Sequence, residues 1–483
     1  MSHFDTSNLA GEVKLLDNED LIKISETAFE ILEEGGIKVE DEKALEEFDE
    51  GSADVDFDRE TVRIPKSLTK KMIRKAPSKI EMFNRNGEKA CTLGGKNVNF
   101  LPGSATPNLI DLNHEHRKST IKDQENFARL IDALPSIDIQ SGCLTATDAP
   151  PKIRDRYRFY PVLKNSTKPI ISGVNSEKCI DDIKKMLEVC GLNESPKKPF
   201  YACILCPTSP LKMTSVPLAK NLMKCINYDI PIMIVPAPSA GGTSPATIAG
   251  TIVQHTAENI ASIVLGQIIK PGSRFIFGGA AGIMDMKNAL MSYAAPESML
   301  ITCGIAEIGK YLGLPTHGFI GLSDAKTADA QAGFEAGLGY TLASQIGINA
   351  VSGPGAIASL SSQSFGKLVL DNELIGEMER ITEKGIEVTT ETLAKNEILE
   401  VGPKGDYLSR KHTRKWFRKE QYMPSEIINR STREKWEKSG RKTSEQIATE
   451  KAKKILEKHK PEKLPENIKE KLDEIMNKTT SKI

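Results

Sequence analysis

From Val98 onward one pattern repeats eight times: a short apolar run, a cluster of Gly, Pro or Ser, then a longer stretch with helical periodicity. The strand-like runs lie at 98–101, 137–144, 169–174, 200–206, 231–236, 274–278, 316–322 and 348–353. The helical stretches lie at 121–133, 151–163, 177–190, 217–226, 245–269, 296–312, 328–346 and 365–381. Strict alternation means parallel strands joined by helical crossovers, because a parallel pair cannot be closed by a tight turn. Eight such units predict an α/β fold of the closed (β/α)8 TIM type, spanning about 96–384, near the roughly 250 residues usual for such a barrel.

The flanks read differently. Residues 1–95 are expected to form an N-terminal α+β cap, with an amphipathic helix near 21–34 and short strands around 55–64, able to cover or plug the barrel. Residues 385–483 are expected to form a charged helical C-terminal extension. From Ser431 to Ile483 there are 15 Lys/Arg and 10 Asp/Glu, a surplus of +5. A solvated helical tail explains that surplus, and docking onto an acidic partner is the alternative.

Over the whole chain Lys+Arg and Asp+Glu are both 65, so no overall basic field points to nucleic acid or an anionic membrane. The first twenty residues carry acids and no apolar core, unlike a secretory signal. The most apolar stretch, 248–269, contains His255, Glu258, Asn259 and Gln267, which predicts a buried helix rather than a membrane span. A cytoplasmic location follows as the expectation. The eight cysteines are scattered and read as reduced. Cys203 and Cys206 stand three apart in a strand-like run, on opposite faces, which predicts core filling rather than a shared metal. No metal site is predicted.

In barrels of this kind chemistry sits at the C-terminal ends of the strands. After the fifth strand, Gly241 and Gly242 would let backbone approach a ligand, with Ser244 as a cap for the next helix. After the sixth come Asp285, which could face a cation, Tyr293, and Glu297, which suits a helix dipole. After the seventh, Asp324, Lys326, Asp329 and Gln331 crowd one turn with more acids than capping needs. After the eighth, the small uncharged run from Ala356 to Gln363 can line a cavity without filling it. Walker A, G-x-S-x-G and H-E-x-x-H motifs are absent, which disfavours nucleotide and serine-hydrolase chemistry. His114 and His116 read as surface residues, His255 and His317 as core histidines, and Trp416 with Phe417 as packing of the tail.

The segments TSPATIAGTIVQHTAENIASIVLGQIIKPGS, GIMDMKNALMSYAAPE, LSDAKTADAQAGFE, KLVLDNELIG and HTRKWFRKEQYMPSEIINR together resemble the trimethylamine:corrinoid methyltransferase family, including its members that lack pyrrolysine. The resemblance runs over nearly the whole chain. It implies a (β/α)8 barrel that moves a methyl group from a methylated or quaternary amine to Co(I) of a separate corrinoid protein. The corrinoid-binding signature Asp-x-His-x-x-Gly is absent. The expectation is therefore no cofactor on this chain and cobalamin brought by a partner. By family position, Asp324, Lys326, Asp329 and Gln331 are the expected catalytic residues, with Asp285, Gly241 and Gly242 on the substrate; Tyr293 and Phe319, aromatics near strand ends, are expected on the substrate as well.

Methyl transfer from an ammonium nitrogen is an in-line displacement, so an enzyme must hold the cation, aim the methyl and exclude water. The acids would balance the cation, while Lys326 would pair with one of them or with a substrate carboxylate. The family's trimethylamine enzymes carry pyrrolysine and every residue here is standard, so the resemblance favours glycine betaine or another quaternary amine. Where many members have an acid after the eighth strand, this chain has Ala358. Aromatics are 5%, and Tyr293, Phe319 and Phe365 are the ones near strand ends. Two rival readings use the same residues: a Schiff-base aldolase on Lys326 and a non-catalytic quaternary-amine binder. Exposed barrel helices are expected to support a homo-oligomer.

Overall fold

The computed structural model describes residues 13–192, 197–403 and 405–480. Part of the N-terminal stretch read above as lacking a signal core lies outside the described residues. Eight short strands follow in the expected order: β1 (Asn99–Leu101), β2 (Gln140–Ser141), β3 (Ile170–Gly173), β4 (Tyr201–Leu205), β5 (Ile232–Ile234), β6 (Phe275–Phe277), β7 (His317–Gly318) and β8 (Ala350–Ser352). Strands β2 to β6 pair in parallel in sequence order, and β7, β8 and β1 do the same. A parallel bridge from Phe277 to Thr316 and the Ile139 N–H on the Phe100 carbonyl at 3.1 Å close the ring. The crossovers are α1 (Ile121–Ala133), α2 (Arg156–Asn165), α3 (Glu177–Val189), α4 (Lys220–Asn227), α5 (Ile248–Ile269), α6 (Pro296–Tyr311), α7 (Ala330–Ile346) and α8 (Phe365–Glu379). The expected (β/α)8 barrel is the observed one.

Side chains alternate along each strand, so one set points inward. Leu101, Ile139, Ile171, Ala202, Ile204, Met233, Val235, Ile276 and Ala350 fill the barrel. The helix α5 is buried along most of its length and pairs several of its polar groups locally, while among the described residues His255 Nδ1, Thr256 Oγ1 and Asn259 Oδ1 have no partner. Asn259 Nδ2 donates to the Gly278 carbonyl at 2.7 Å, and Gln267 Nε2 to that of Ser273 at 2.7 Å. Its cap is Thr247, which accepts from the Gly250 N–H, so the helix starts three residues later than the Ser244 cap expected. Among the described residues no helix is long and apolar enough to cross a membrane.

The N-terminal segment is built onto the barrel. Helix Asn18–Glu30, opened by an Asp17 capping box, packs on α5. Strands Asp54–Asp56, Thr61–Arg63 and Ile37–Val39 form a small sheet completed by Lys212–Met213 from the loop after β4. The hairpin Ile80–Phe83 and Lys89–Leu93 inserts Ile80, Met82, Cys91 and Leu93 into the barrel's interior cluster. It enters from the N-terminal end of the strands: Phe83 N–H meets the Pro199 carbonyl just before β4 at 2.9 Å, and Asn99 at the start of β1 donates to Thr92 at 3.0 Å. That end is plugged, which leaves the C-terminal end as the open face.

The tail departs from the solvated expectation. Helix Ser444–Lys458 buries Ala448, Thr449 and Ala452 against α8, where a Cβ on Gly366 would stand 2.7 Å from Thr449 Oγ1. Helix Glu466–Thr480 lays Leu472 and Met476 on the barrel wall beside α3. Its charge surplus lies on the outward faces, while apolar residues at helical spacing carry the packing. Helices Lys395–Val401 and Lys411–Glu420 bury no residue. Trp416, expected to pack the tail, instead meets Glu391, Lys415 and Lys419 within this same segment.

Candidate active site

The ends of the strands and the loops that follow them make the barrel's open mouth. Cys206, the residue after β4, is exposed there. Cys203, three residues earlier, is buried. The opposite-face expectation holds, but Cys206 lines the mouth rather than filling the core.

Across the mouth, the antiparallel pair Gly282–Asp285 and Leu290–Ser292 delivers Tyr293 to the β6 and β7 side. Its ring lies 6.2 Å from that of Phe319, inclined at 44°. Burial first, then the Cys206 and Asp324 groups, hold the Tyr293 hydroxyl up to about 12. Asp324 lies beside this pair. Its Oδ2 accepts from the Ser292 hydroxyl, and its Oδ1 is buried with no hydrogen-bond partner among the described residues. A carboxylate oxygen left this way costs free energy until a donor or cation meets it.

The Asp324 backbone is fixed from two directions. Its N–H donates to Glu335 Oε2 at 2.8 Å, and the Ser323 hydroxyl donates to the same oxygen. On the other side, Ala358 N–H meets the Ala325 carbonyl at 2.9 Å and Ser359 N–H meets that of Ser323 at 3.1 Å. Ala358, Ser359 and Leu360 have φ of 53°, 54° and 62°, three consecutive non-glycine residues in the left-handed region. Each costs about 1–2 kcal/mol there, and the turn directs Leu360 onto the interior cluster. Strain persists at such a place only when neighbours over-determine it.

The other expected site residues have different duties. Lys326 is exposed, its ammonium on the Asp324 carbonyl, facing a cleft shared with His116 and Glu445. Asp329 caps α7 by accepting from Gln331 N–H at 3.0 Å and Ala332 N–H at 3.4 Å. Gln331 is exposed and donates to Glu335 Oε1 at 2.9 Å. Asp285 makes a hairpin turn, where Asn288 Nδ2 and then Lys287 N–H hold its carboxyl below the usual range. A Cβ on Gly241, at φ +84°, would meet Met286 Cε at 2.4 Å, and one on Gly242 would meet Met284 Cε at 2.4 Å. Those glycines admit the methionines of the neighbouring hairpin. Of the nine residues expected, Asp324, Tyr293 and Phe319 share the mouth.

Three mouth residues escaped the sequence reading. Glu335 was within reach, one helical step of four from Gln331. Cys206 was within reach from its place at a strand end. Arg158, on α2, is only 7% exposed; its Nε donates to the Gly142 carbonyl at 3.2 Å and its Nη2 to Ser104 Oγ at 3.0 Å. Ser104 follows β1 and Gly142 follows β2. A Cβ on Gly173, at the end of β3, would lie 3.6 Å from Nη2. The guanidinium therefore stands beyond the ends of β1 to β3.

Residues 5–483 match the trimethylamine methyltransferase (MTTB) family. The trimethylamine methyltransferase MttB of Desulfitobacterium hafniense (strain DSM 10664 / DCB-2) is 33% identical over 468 residues, covering 96% of this chain and 93% of the relative. The glycine betaine methyltransferase of Desulfitobacterium hafniense (strain Y51) is 30% identical over 441 residues, covering 90% and 91%. Among solved structures, the hydroxylamine complex of MtmB matches with a TM-score of 0.50 at 16% identity over 93% of this chain and 95% of the other, a likeness of fold alone. On the agreement of barrel, chain length and relatives, this chain belongs to the trimethylamine methyltransferase family.

Proposed function

We propose that this chain takes a methyl group from a methylated, positively charged amine and delivers it to the cobalt of a corrinoid carried by a separate protein. The observation that carries the reading is Asp324, whose buried Oδ1 has no partner among the described residues, set beside the Tyr293 and Phe319 rings at the open end of a barrel plugged at the other. A quaternary ammonium has no N–H to donate. What holds it is charge and ring faces, and this mouth offers both.

In the transfer the N–C bond breaks, nitrogen keeps the electron pair, and the amine leaves neutral. A corrinoid supplies the strong nucleophile that such a poor leaving group requires. The chain's own part is to hold the cation, aim one methyl outward and keep water from the path. The small uncharged rim from Ala356 to Ser361 leaves the mouth open to a partner's cofactor. Free cysteines suit the cytoplasm, and the exposed Phe334 and Leu338 on α7 suit a homo-oligomer.

The test mixes the purified chain with a corrinoid protein reduced to Co(I) and an amine panel, and follows the corrinoid's visible spectrum. Asp324→Asn is expected to slow transfer about 100-fold, the loss of roughly 3 kcal/mol. An Asp324→Asn rate equal to the parent's would overturn the assignment.

A further inference from the structure

We infer that Ser298, in the first turn of α6, is a positioning residue for the transfer: through Ser292 it sets which oxygen of Asp324 faces the amine and where Tyr293 stands. This rests on the reading that Asp324 meets the ammonium.

Helix α6 opens without a side-chain cap, since Ala295 at its N-cap has no polar group to offer and Pro296 fills the first position. Ser298, two residues on, is 1% exposed and gives its hydroxyl to the hairpin Gly282–Asp285 and Leu290–Ser292. Its Oγ donates to the Ser292 carbonyl at 2.5 Å and accepts the Ile283 N–H at 2.9 Å. Ile283 and Ser292 are register partners in that hairpin. One hydroxyl thus grips both strands at the base of the hairpin, the end away from its turn. The fit is close: a Cβ on Gly282 would stand 3.0 Å from Ser298 Oγ and 3.3 Å from the Ser292 carbonyl oxygen.

The residue held this way leads to both parts of the cation's site. The Ser292 hydroxyl donates to Asp324 Oδ2, and Tyr293, next in the chain, brings its ring to 6.2 Å from that of Phe319. With Oδ2 engaged, the buried Oδ1 is the oxygen left without a partner among the described residues. Ser292 therefore turns the carboxylate, while Glu335 holds the backbone beneath it. Without the Ser298 hydroxyl, a buried N–H and a carbonyl lose their partner, and the strand end that carries Ser292 and Tyr293 shifts to find others. An in-line transfer feels such a shift, since a misplacement of about 1 Å costs on the order of 100-fold.

Transfer kinetics of the full chain, with a reduced corrinoid protein and the amine panel, test this. Ser298→Val and Ser298→Thr give side chains of one shape, of which only the second keeps a hydroxyl. Ser298→Val is expected to lose about tenfold in kcat/KM, and Ser298→Thr to recover most of it. In Ser292→Ala, where the link to Asp324 is already cut, Ser298→Val should add only about threefold or less. Equal kinetics of Ser298→Val and Ser298→Thr, or losses that simply multiply in the double variant, overturn the inference and leave Ser298 a structural residue. If thermal melting shows Ser298→Val misfolded, Gly282→Ala decides, because it crowds the hydroxyl and keeps it. A loss of about threefold in kcat/KM there upholds the inference, and unchanged kinetics overturn it. If the parent moves no methyl from any amine of the panel, the transfer reading fails, and crystal structures of the two Ser298 variants decide the relay alone. The Ser292 hydroxyl off Asp324 in Ser298→Val and on it in Ser298→Thr upholds the relay; the hydroxyl on Asp324 in both overturns it.

Discussion

Glu335 accepts the backbone N–H of Asp324 at 2.8 Å, tying the turn after β7 to the second turn of α7. The Ser323 hydroxyl shares that oxygen, and Gln331 donates to the other at 2.9 Å. Glu335→Ala leaves an amide and a hydroxyl unpaired, at about 1–3 kcal/mol, and frees the segment that carries the cation's partner. The expected result is about a tenfold loss in kcat/KM for the amine with the chain still folded, while Glu335→Gln, which keeps an acceptor, retains most activity. Unchanged kinetics in Glu335→Ala would remove Glu335 from the positioning of Asp324.

The left-handed turn at Ala358, Ser359 and Leu360 makes a second, opposite test. Glycine adopts this region without the Cβ clash, so Ser359→Gly should raise stability by about 0.5–1 kcal/mol once the looser unfolded chain is counted, with activity kept. Ala358→Val places a branched side chain at φ 53° and should cost about 2 kcal/mol or more. It should also lower activity, because the Ala358 N–H then leaves the Ala325 carbonyl beside Asp324. Urea unfolding and transfer rates read both. A stabilised, fully active Ala358→Val would show that the turn is not strained.

The barrel was legible because its signal is periodic: eight apolar runs such as 231–236 and 274–278 announce strands however short the paired segments turn out to be. The site was legible only where a residue's place along the chain fixes its place in space. Tyr293 directly follows the strand Leu290–Ser292, Asp324 lies in the loop between β7 and α7, and both reach the mouth. Asp329 and Gln331 lie a few residues further on, where an N-cap and a helix surface claim them. Arg158 was hidden because it sits on a helix and reaches the mouth only through the length of its side chain. The packing of Leu472 and Met476 was masked by the charge around them.

Two core histidines make stability depend on pH. His255 Nε2–H donates to the Gly278 carbonyl at 2.9 Å, and His317 Nε2 meets Ser352 Oγ at 2.8 Å, with neither Nδ1 atom partnered among the described residues. Burial pulls both rings down to about 3 from about 6.5. The folded rings stay neutral while the unfolded ones take up protons below about 6.5. Their stability is therefore complete above pH 6.5 and is lost as pH falls from there toward 3. Between pH 7.5 and 5.0 each ring should cost about 2 kcal/mol. Urea unfolding at the two pH values should show this fall, and His255→Gln should flatten it by about half. An equal slope in His255→Gln would contradict a neutral buried ring.

The pair Lys367 and Asp371 separates stability from activity. Lys367 Nζ donates to Asp371 Oδ2 at 2.7 Å and Oδ1 at 2.9 Å on the buried face of α8, and Asp371 Oδ2 also accepts the Gly355 N–H at 2.7 Å in the loop after β8. Burial raises the Asp371 carboxyl even against the Lys367 charge. Lys367→Met strands that carboxylate and should cost about 3–5 kcal/mol at neutral pH. The cost should shrink in acid, where Asp371 takes up a proton. In Lys367→Met with Asp371→Leu no buried charge remains, and stability should return to within about 1–2 kcal/mol of the parent. The Gly355 amide has still lost its acceptor, so the loop that leads to Ala358 is looser and transfer should remain slow. Thermal melting against transfer rate reads the two apart, and a double variant that recovers both would show that Asp371 serves the core and not the mouth.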